Sequence, residues 1–151
     1  MEVVVSSYYE FKSLSDPEDL IHYTSLKPTP WSMLQNLPLA LASGLFRPFL
    51  TEAKTTLQFF VGVENVILLT FTVLAFAQFR KLVQSKYRIL LFSILVYSLM
   101  LCAFLALSTP NFGTLSRYRV GFLPFFVFLL TIENPLINKL ITLKSFRNLV
   151  R

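Results

Sequence analysis

The chain has 151 residues, of which 54% are hydrophobic and only 15% charged, with a formal net charge of +6. Ordinary soluble domains are about 45–50% apolar and about a quarter charged, so the composition argues against that class. The apolar residues form long uninterrupted blocks, which indicates an integral membrane protein. The basic residues lie beside these blocks instead of in one stripe, which is typical of a topology signal and argues against a nucleic-acid partner.

Residues 1–30 form a polar segment that we predict to be extracytoplasmic. Within it, Ser15 or Asp16 is expected to cap a short helix from Pro17 to about Tyr23, because proline is favoured at the first helical position and acidic residues follow it. A basic stretch followed by an apolar one is missing, so no signal peptide is predicted.

Residues 31–56 differ from the blocks that follow. Their apolar run is interrupted by two prolines and a glycine, and it is too short to be assigned as a transmembrane span. We predict an interfacial or re-entrant helix, with Trp31 at the level of the lipid headgroups and Arg47 extending its charge towards them.

Residues 57–151 are predicted to form a bundle of transmembrane helices, with spans at about 57–79, 87–107 and 118–140. The first span has 23 residues, which at ~1.5 Å each is enough to cross a core of ~30 Å. The third contains Pro124 and Pro135, which a membrane helix tolerates with kinks. The predicted fold class is an all-α integral membrane protein with three transmembrane helices plus the interfacial or re-entrant helix, and four spans are the alternative.

Positive charge in the short connections predicts the orientation. Basic residues without acidic ones lie between the first two spans and after the third, so both regions are expected in the cytoplasm, with the C-terminus. They are Arg80, Lys81, Lys86, Arg88, Lys139, Lys144, Arg147 and Arg151. Residues 1–56 hold four basic and six acidic residues and fall outside, in a multi-pass arrangement expected for a bacterial inner membrane.

The long polar segment ahead of the first span has no signal sequence to lead it across a membrane. This favours the hypothesis that the chain is the C-terminal part of a longer multi-spanning protein. A shortened gene, or a subunit inserted beside a larger membrane protein partner, would give the same pattern.

The polar loop Thr109–Arg119, between two apolar blocks, is the first candidate site. Arg117 and Arg119 flank a tyrosine, and guanidinium groups match phosphate in bidentate geometry, so a lipid phosphate is a plausible ligand. Asn111 and Gly113 predict a tight turn whose backbone N–H groups point at an anion. The alternative is a pair of arginines that anchor the chain among headgroups.

Glu64 lies inside the first predicted span. A carboxylate at such a position is costly, by roughly 2.5–3.5 kcal/mol on insertion scales for the related Asp. One interpretation is a proton-handling or substrate-contacting group. The other is a structural carboxyl group that is hydrogen-bonded while protonated, or a carboxylate paired with Arg117 or Arg119, because Glu64 is about 10 Å from the outer end of its helix.

Arg47, with Glu52 and Lys54, forms a charged cluster at the outer edge of the first span. We interpret it mainly as an anchor and keep Arg47 as a candidate substrate contact. Cys102 is the only cysteine and His22 the only histidine, so neither a metal site nor a cofactor is predicted. No nucleophile, phosphate-loop or triad motif is present, and whether the chain is an enzyme stays open.

Two stretches resemble a known group of proteins. They are Leu45–Leu50 followed by Glu64 and Asn65, and Asn111–Arg119 followed by Pro124 and Phe125. Together they resemble the C-terminal region of uncharacterised bacterial multi-spanning proteins, which are similar to polyprenyl-linked glycosyltransferases and polymerases of envelope polysaccharide assembly. The resemblance covers roughly residues 6–130 and implies membrane lipid and a polyprenyl-phosphate-linked sugar as partners. The long N-terminal bundle in which such enzymes carry their catalytic acid is not in this sequence.

Three functions follow from these patterns. The chain is a piece of a membrane enzyme that handles lipid-linked sugars, a non-catalytic structural subunit of a larger membrane complex, or a small transporter component that uses Glu64. The missing catalytic motifs favour the second for this chain alone, and the resemblance favours the first for its ancestor.

Overall fold

The computed structural model describes residues 1–77 and 83–132. Within these ranges the chain is helical and contains no β-strand, which confirms the predicted all-α class for this part. The α-helices are α1 (Glu2–Leu14), α2 (Pro30–Phe46), α3 (Thr56–Ala77), α4 (Arg88–Ser108), α5 (Phe112–Tyr118) and α6 (Leu123–Thr131). Single 3₁₀ turns occupy Pro17–Asp19, Leu50–Glu52 and Arg119–Gly121.

Two of these helices are long and apolar enough to cross a membrane. Thr56–Phe76 and Arg88–Ser108 each have 21 residues, with mean hydropathies of 2.0 and 2.6. At ~1.5 Å per residue each is about 32 Å long. By length and composition these two helices qualify as spans, and they lie where the first two spans are predicted.

The third predicted span differs. Residues 118–132 are not one helix, because the short helix α5 ends at Tyr118, a 3₁₀ turn follows, and α6 is a separate helix of nine residues. Pro124 lies in the first turn of α6. There its missing N–H costs nothing, whereas inside a longer helix it would break a hydrogen bond. The described residues do not include the rest of this predicted span, with Pro135 and the basic residues that follow it. They also do not include residues 78–82.

The predicted helix from Pro17 to Tyr23 is wrong beyond its first turn. Only Pro17–Asp19 is helical, and Asp16, one of the two expected caps, is at the N-cap position but makes no side-chain capping bond. The chain then extends so that the backbone N–H of Ile21 donates to the carbonyl of Pro110 at 3.0 Å. Pairing with a distant segment therefore overrides the local helix signal.

The Thr109–Arg119 segment is mostly helical, so the prediction of a loop is also wrong. Asn111 caps α5, because its Oδ1 accepts the backbone N–H of Thr114 at 3.1 Å. Asparagine is among the best N-cap residues. Phe112 and Leu115, three residues apart, are both buried, so α5 lies on the core through one face.

The core has two connected clusters. The first joins α1, α2, the end of α4 and α5, and it contains residues from all three segments distinguished in the sequence. Its members are Val4, Val5, Tyr8, Ile21, Leu26, Ala40, Ala106, Leu107, Phe112 and Leu115. The second joins α2, α3, α4 and the α6 region through Leu45, Leu68, Cys102, Phe122, Phe126 and Leu130.

Helix α2 runs antiparallel to α4, and small residues bring the two helices close. A Cβ added at Gly44 would lie 2.6 Å from the Sγ of Cys102 and 3.2 Å from the Cβ of Ala106. Ala40, one turn earlier, is also fully buried in the first cluster with Ala106. Small residues four apart on both helices permit such an approach.

Candidate functional site

Arg119 is at the centre of a buried hydrogen-bond network. Its side chain is only 3% exposed. Nη1 donates to the Oδ1 of Asn65 at 2.8 Å, and Nη2 donates to the backbone carbonyls of Ser43, at 3.3 Å, and Arg47. Nε has no hydrogen-bond partner among the residues that the structure describes. One guanidinium therefore joins the end of α2 to α3 and to the turn after α5.

The carbonyls that bind Arg119 belong to the C-terminal end of α2. The last carbonyls of a helix lack partners inside it, and this end carries a partial negative charge that attracts cations. Here the carbonyl of Ser43 accepts the backbone N–H of Arg47 at 3.1 Å, and Arg119 is its second donor. Arg119 supplies both the donors and the charge. It caps α2 from a position more than 70 residues further along the chain.

Asn65 completes the Arg119 network. It is 2% exposed, and its Nδ2 donates to the carbonyl of Pro48 at 2.9 Å while its Oδ1 accepts from Arg119. The turn after α2 lies directly on α3, since a Cβ at Gly62 would be 3.3 Å from the backbone N and Cα of Leu50. Asn65 is not among the site residues predicted from the sequence, although an amide side chain within a strongly apolar helix is a signal that could have identified it.

Arg47 is held by the protein on two sides. It forms an ion pair with Glu52, with Nε donating at 3.1 and 3.2 Å to the two carboxylate oxygens. Its Cζ is 4.6 Å from the ring centroid of Phe112, which is cation–π geometry. These contacts hold Arg47 inside the protein, and an anchoring role among the headgroups stays a prediction. A substrate-contacting role for Arg47 also stays a prediction.

The ion pair affects the ionisation of Glu52. Partial burial opposes the charged form, but the hydrogen bond from Arg47, the N–H of Phe49 at 2.8 Å and the charge of Arg47 outweigh it. The pKa of Glu52 therefore lies below its usual value of 4.5. A carboxyl group whose pKa is lowered by folding stabilises the folded state above its unfolded pKa. That stability is lost as the pH falls through the folded pKa.

We expect Glu52→Gln to lower the free energy of unfolding by about 1–2 kcal/mol at pH 7, because a charge-assisted bidentate contact is lost. The difference from the wild type should shrink as the pH falls below 4.5 and vanish once Glu52 is protonated in both states. Thermal unfolding in detergent between pH 3 and 7 measures it. A difference that is independent of pH would contradict the prediction.

Glu64 is exposed and forms no direct ion pair with Arg117 or Arg119. Its neighbour Asn65 makes the bond to Arg119 instead. Glu64 and Arg119 nevertheless line the same cavity of about 350 Å³ and interact electrostatically. The carboxylate therefore offsets part of the buried charge from a distance.

Arg117 lies in a different environment from Arg119. It is exposed, and within the described ranges its guanidinium has neither a hydrogen bond nor an ion pair. It lines a second cavity, of about 230 Å³, with Leu57 and Gln58. Both cavities are lined by Val61 and Ser116, so they adjoin each other between α3 and the α5–α6 segment. We call the two cavities the α3–α5 crevice.

Asn111 serves the fold rather than the crevice. Its Oδ1 caps α5 and its Nδ2 donates to the Oγ of Ser15 at 3.0 Å. The predicted anion-binding turn at Gly113 is wrong, because Gly113 is helical and has no positive φ. The oxygen and the nitrogen of the Asn111 amide therefore both make hydrogen bonds within the protein. A substrate-binding role for Asn111 stays a prediction.

The structure thus brings Arg47, Arg119 and the unpredicted Asn65 into one region, with Glu64 and Arg117 along the adjoining crevice. In the described part of the chain, no group of three or more His, Cys, Asp or Glu residues has the arrangement of a metal site. Comparisons of the chain with protein-family models, curated proteins and solved structures gave no significant match. Its function is therefore inferred from the geometry of the site.

Proposed function

We propose that the chain is an integral membrane protein in which α3 and α4 cross the bilayer. Both helices present many large apolar side chains at the surface, among them Phe59, Phe60, Phe76, Ile89, Phe92 and Met100. Contiguous apolar surface of this extent is unfavourable in water and is expected where a helix faces lipid. The third span and the bacterial inner-membrane location, with the N-terminus outside, belong to the same proposal.

In this proposal α2 is a re-entrant helix. Gly44 meets α4 at Cys102, six residues or about 9 Å from the end of that helix. The turn after α2 lies against Gly62 and Asn65, about 9–14 Å into α3. Irregular backbone at membrane depth is tolerated only where protein satisfies its hydrogen bonds. The Arg119 network performs that task, which supports the re-entrant assignment.

We further propose that the α3–α5 crevice binds the phosphate and part of the hydrocarbon chain of an anionic lipid. The observation that carries this proposal is Arg117, an exposed arginine that lines an apolar crevice and has no hydrogen bond or ion pair to any of the described residues. A guanidinium binds phosphate through two parallel hydrogen bonds. Leu57 and Gln58 are at the start of α3, whereas Glu64 and Val127 line the deeper cavity, so a chain would run inwards from the phosphate.

The sequence resemblance suggests which lipid this is. We propose a polyprenyl-phosphate-linked sugar of the type used in envelope polysaccharide assembly, bound within a larger membrane protein. The chain would hold and orient this substrate, while catalytic groups would come from the partner.

Arg117→Gln is expected to weaken binding of a polyprenyl phosphate at least tenfold, because one charge-assisted contact is worth about 1.5–3 kcal/mol. Native mass spectrometry of the detergent-solubilised chain, with polyprenyl phosphate and the matching polyprenol, measures the bound fraction. The wild type should retain bound polyprenyl phosphate and lose most of the polyprenol. Arg88→Gln, the same change at the start of α4, is the control and should bind like the wild type.

Equal retention of the phosphate and the alcohol, or unchanged retention by Arg117→Gln, would contradict the lipid site. The exposed face of α3 also suits the second candidate, a structural subunit of a larger complex. That function would be supported if Arg117→Gln dissociated the chain from a co-purified membrane protein without changing lipid retention.

A further inference from the structure

A third cavity lies at the beginning of α2, away from the α3–α5 crevice. Its volume is about 610 Å³, larger than either cavity of the crevice. Most of the residues that line it have polar side chains, whereas the crevice is lined mainly by apolar residues. The lining includes Thr24, Ser25, Lys27, Trp31, Gln35 and Asn36. We call it the Trp31 cleft.

The floor of the cleft is fixed by internal hydrogen bonds. The Oδ1 of Asn36 accepts the N–H of Thr24 at 3.2 Å, and its Nδ2 donates to the carbonyls of Thr24, at 3.3 Å, and Ser32, at 2.8 Å. The Oγ of Ser32 accepts the N–H of Lys27 at 2.9 Å and donates to the carbonyl of Ser25 at 3.1 Å. A cleft fixed in this way loses little conformational entropy when a ligand binds.

The walls of the cleft carry groups that the protein does not use. Trp31 is 67% exposed. Lys27 and Gln35 are exposed, and their side chains make no hydrogen bond or ion pair within residues 1–77 and 83–132. The cleft therefore offers a flat aromatic face, an amide that can both donate and accept, and one ammonium group.

This set of groups fits a saccharide. The C–H face of a sugar ring is weakly positive and stacks on the negative face of an indole, while hydroxyl groups need partners that donate and accept, as an amide does. The ammonium of Lys27 adds a preference for a sugar that carries a carboxylate. A ligand that was only apolar would leave these polar groups unpaired.

The cleft also lies towards the end of the molecule where a sugar would be in water. Trp31 is nine residues, or about 14 Å along α2, before Ala40, which belongs to the same buried cluster as Ala106 near the end of α4. Tyr23, in the segment before α2, also donates its hydroxyl to the carbonyl of Ala106 at 2.9 Å. We infer that the Trp31 cleft binds an acidic saccharide. The inference rests on the proposed function in one respect, that such a saccharide would be the head of the lipid-linked substrate.

Trp31 is the only tryptophan in the chain, so its fluorescence reports directly on the cleft. The full chain in phosphatidylcholine nanodiscs is titrated with a uronate-containing tetrasaccharide and with a neutral tetrasaccharide of the same length. We expect a saturable change in emission with both and a dissociation constant at least threefold lower for the acidic one. Lys27→Gln should remove that preference. Gln35→Ala should weaken both at least fivefold, while Gln84→Ala, a change at an exposed glutamine before α4, should have no effect.

The inference is overturned if neither saccharide gives a saturable change, or if Gln35→Ala binds like the wild type. Strong quenching of Trp31 by brominated phosphatidylcholine, without a response to saccharide, would assign it to the headgroup layer instead. The saccharides contain neither phosphate nor lipid chain. The saccharide titration and the Arg117 experiment therefore test the cleft and the crevice independently. If the chain does not retain polyprenyl phosphate but still responds to saccharide, lipid binding in the crevice is rejected and saccharide binding in the cleft is supported.

Discussion

Replacing Arg119 with methionine is expected to lower the free energy of unfolding by at least 3–5 kcal/mol, enough to deplete the protein from the membrane. The change removes the donor for the carbonyl of Arg47 and for the Oδ1 of Asn65. It also removes one of two donors to the carbonyl of Ser43, which keeps the backbone N–H of Arg47. Each buried polar group left without a partner costs about 1–3 kcal/mol, against a total stability of about 5–15 kcal/mol. Thermal unfolding in detergent and immunoblotting of membranes measure the effect.

Arg117→Met is the matched control, because it is the same substitution two residues earlier at an exposed position. It should stay within about 0.5 kcal/mol of the wild type. Arg119→Lys should give an intermediate loss, since an ammonium keeps the charge but lacks the planar fork that reaches three acceptors. A folded Arg119→Met protein with wild-type stability would show that the capping bonds contribute nothing.

Asn65→Leu is expected to cost about 2–4 kcal/mol. Leucine has a similar size, but it leaves the carbonyl of Pro48 without its donor and Arg119 without one acceptor. Thr70→Val in the same helix is the control, because its exposed hydroxyl bonds only to the carbonyl of Val66 and its loss should be within about 0.5 kcal/mol. The readout is the unfolding midpoint of each variant in the same detergent.

The double variant Arg119→Met with Asn65→Leu tests whether the two residues act as one unit. Residues in one hydrogen-bond network usually show coupling energies of about 0.5–3 kcal/mol. The double variant should therefore cost less than the sum of the two single changes. Additivity to within about 0.3–0.5 kcal/mol would mean that the bond between them does not couple their contributions.

The features that the sequence predicts well are those set by local composition. The beginnings of α3 and α4 follow from long apolar runs, because the length of such a run is visible without knowing what it contacts. Residues 109–119 carry two conflicting signals. Their polar residues suggest a loop, but Asn111 as a helix cap with apolar residues one and four positions later predicts the short helix that forms.

The contrast between Arg117 and Arg119 could not be predicted in this way. Both are basic residues beside Tyr118 and have the same local signals. Two positions along a helical path rotate a side chain by about 200°, so one arginine faces the core and the other faces outwards. Which one is buried depends on Asn65 and the end of α2, which lie 54 or more residues away in the chain. Local patterns carry no information about contacts at that separation.

The capping of α2 by Arg119 also has a consequence for the order in which the protein is made. The carbonyls of Ser43 and Arg47 leave the ribosome 72 to 76 residues before the guanidinium that binds them. At about 5–20 residues per second this is a delay of about 4–15 s. Helix α2 is therefore synthesised early but acquires its cap only after α5 has emerged. The biosynthetic machinery must accommodate a helix with an open carbonyl end during that interval.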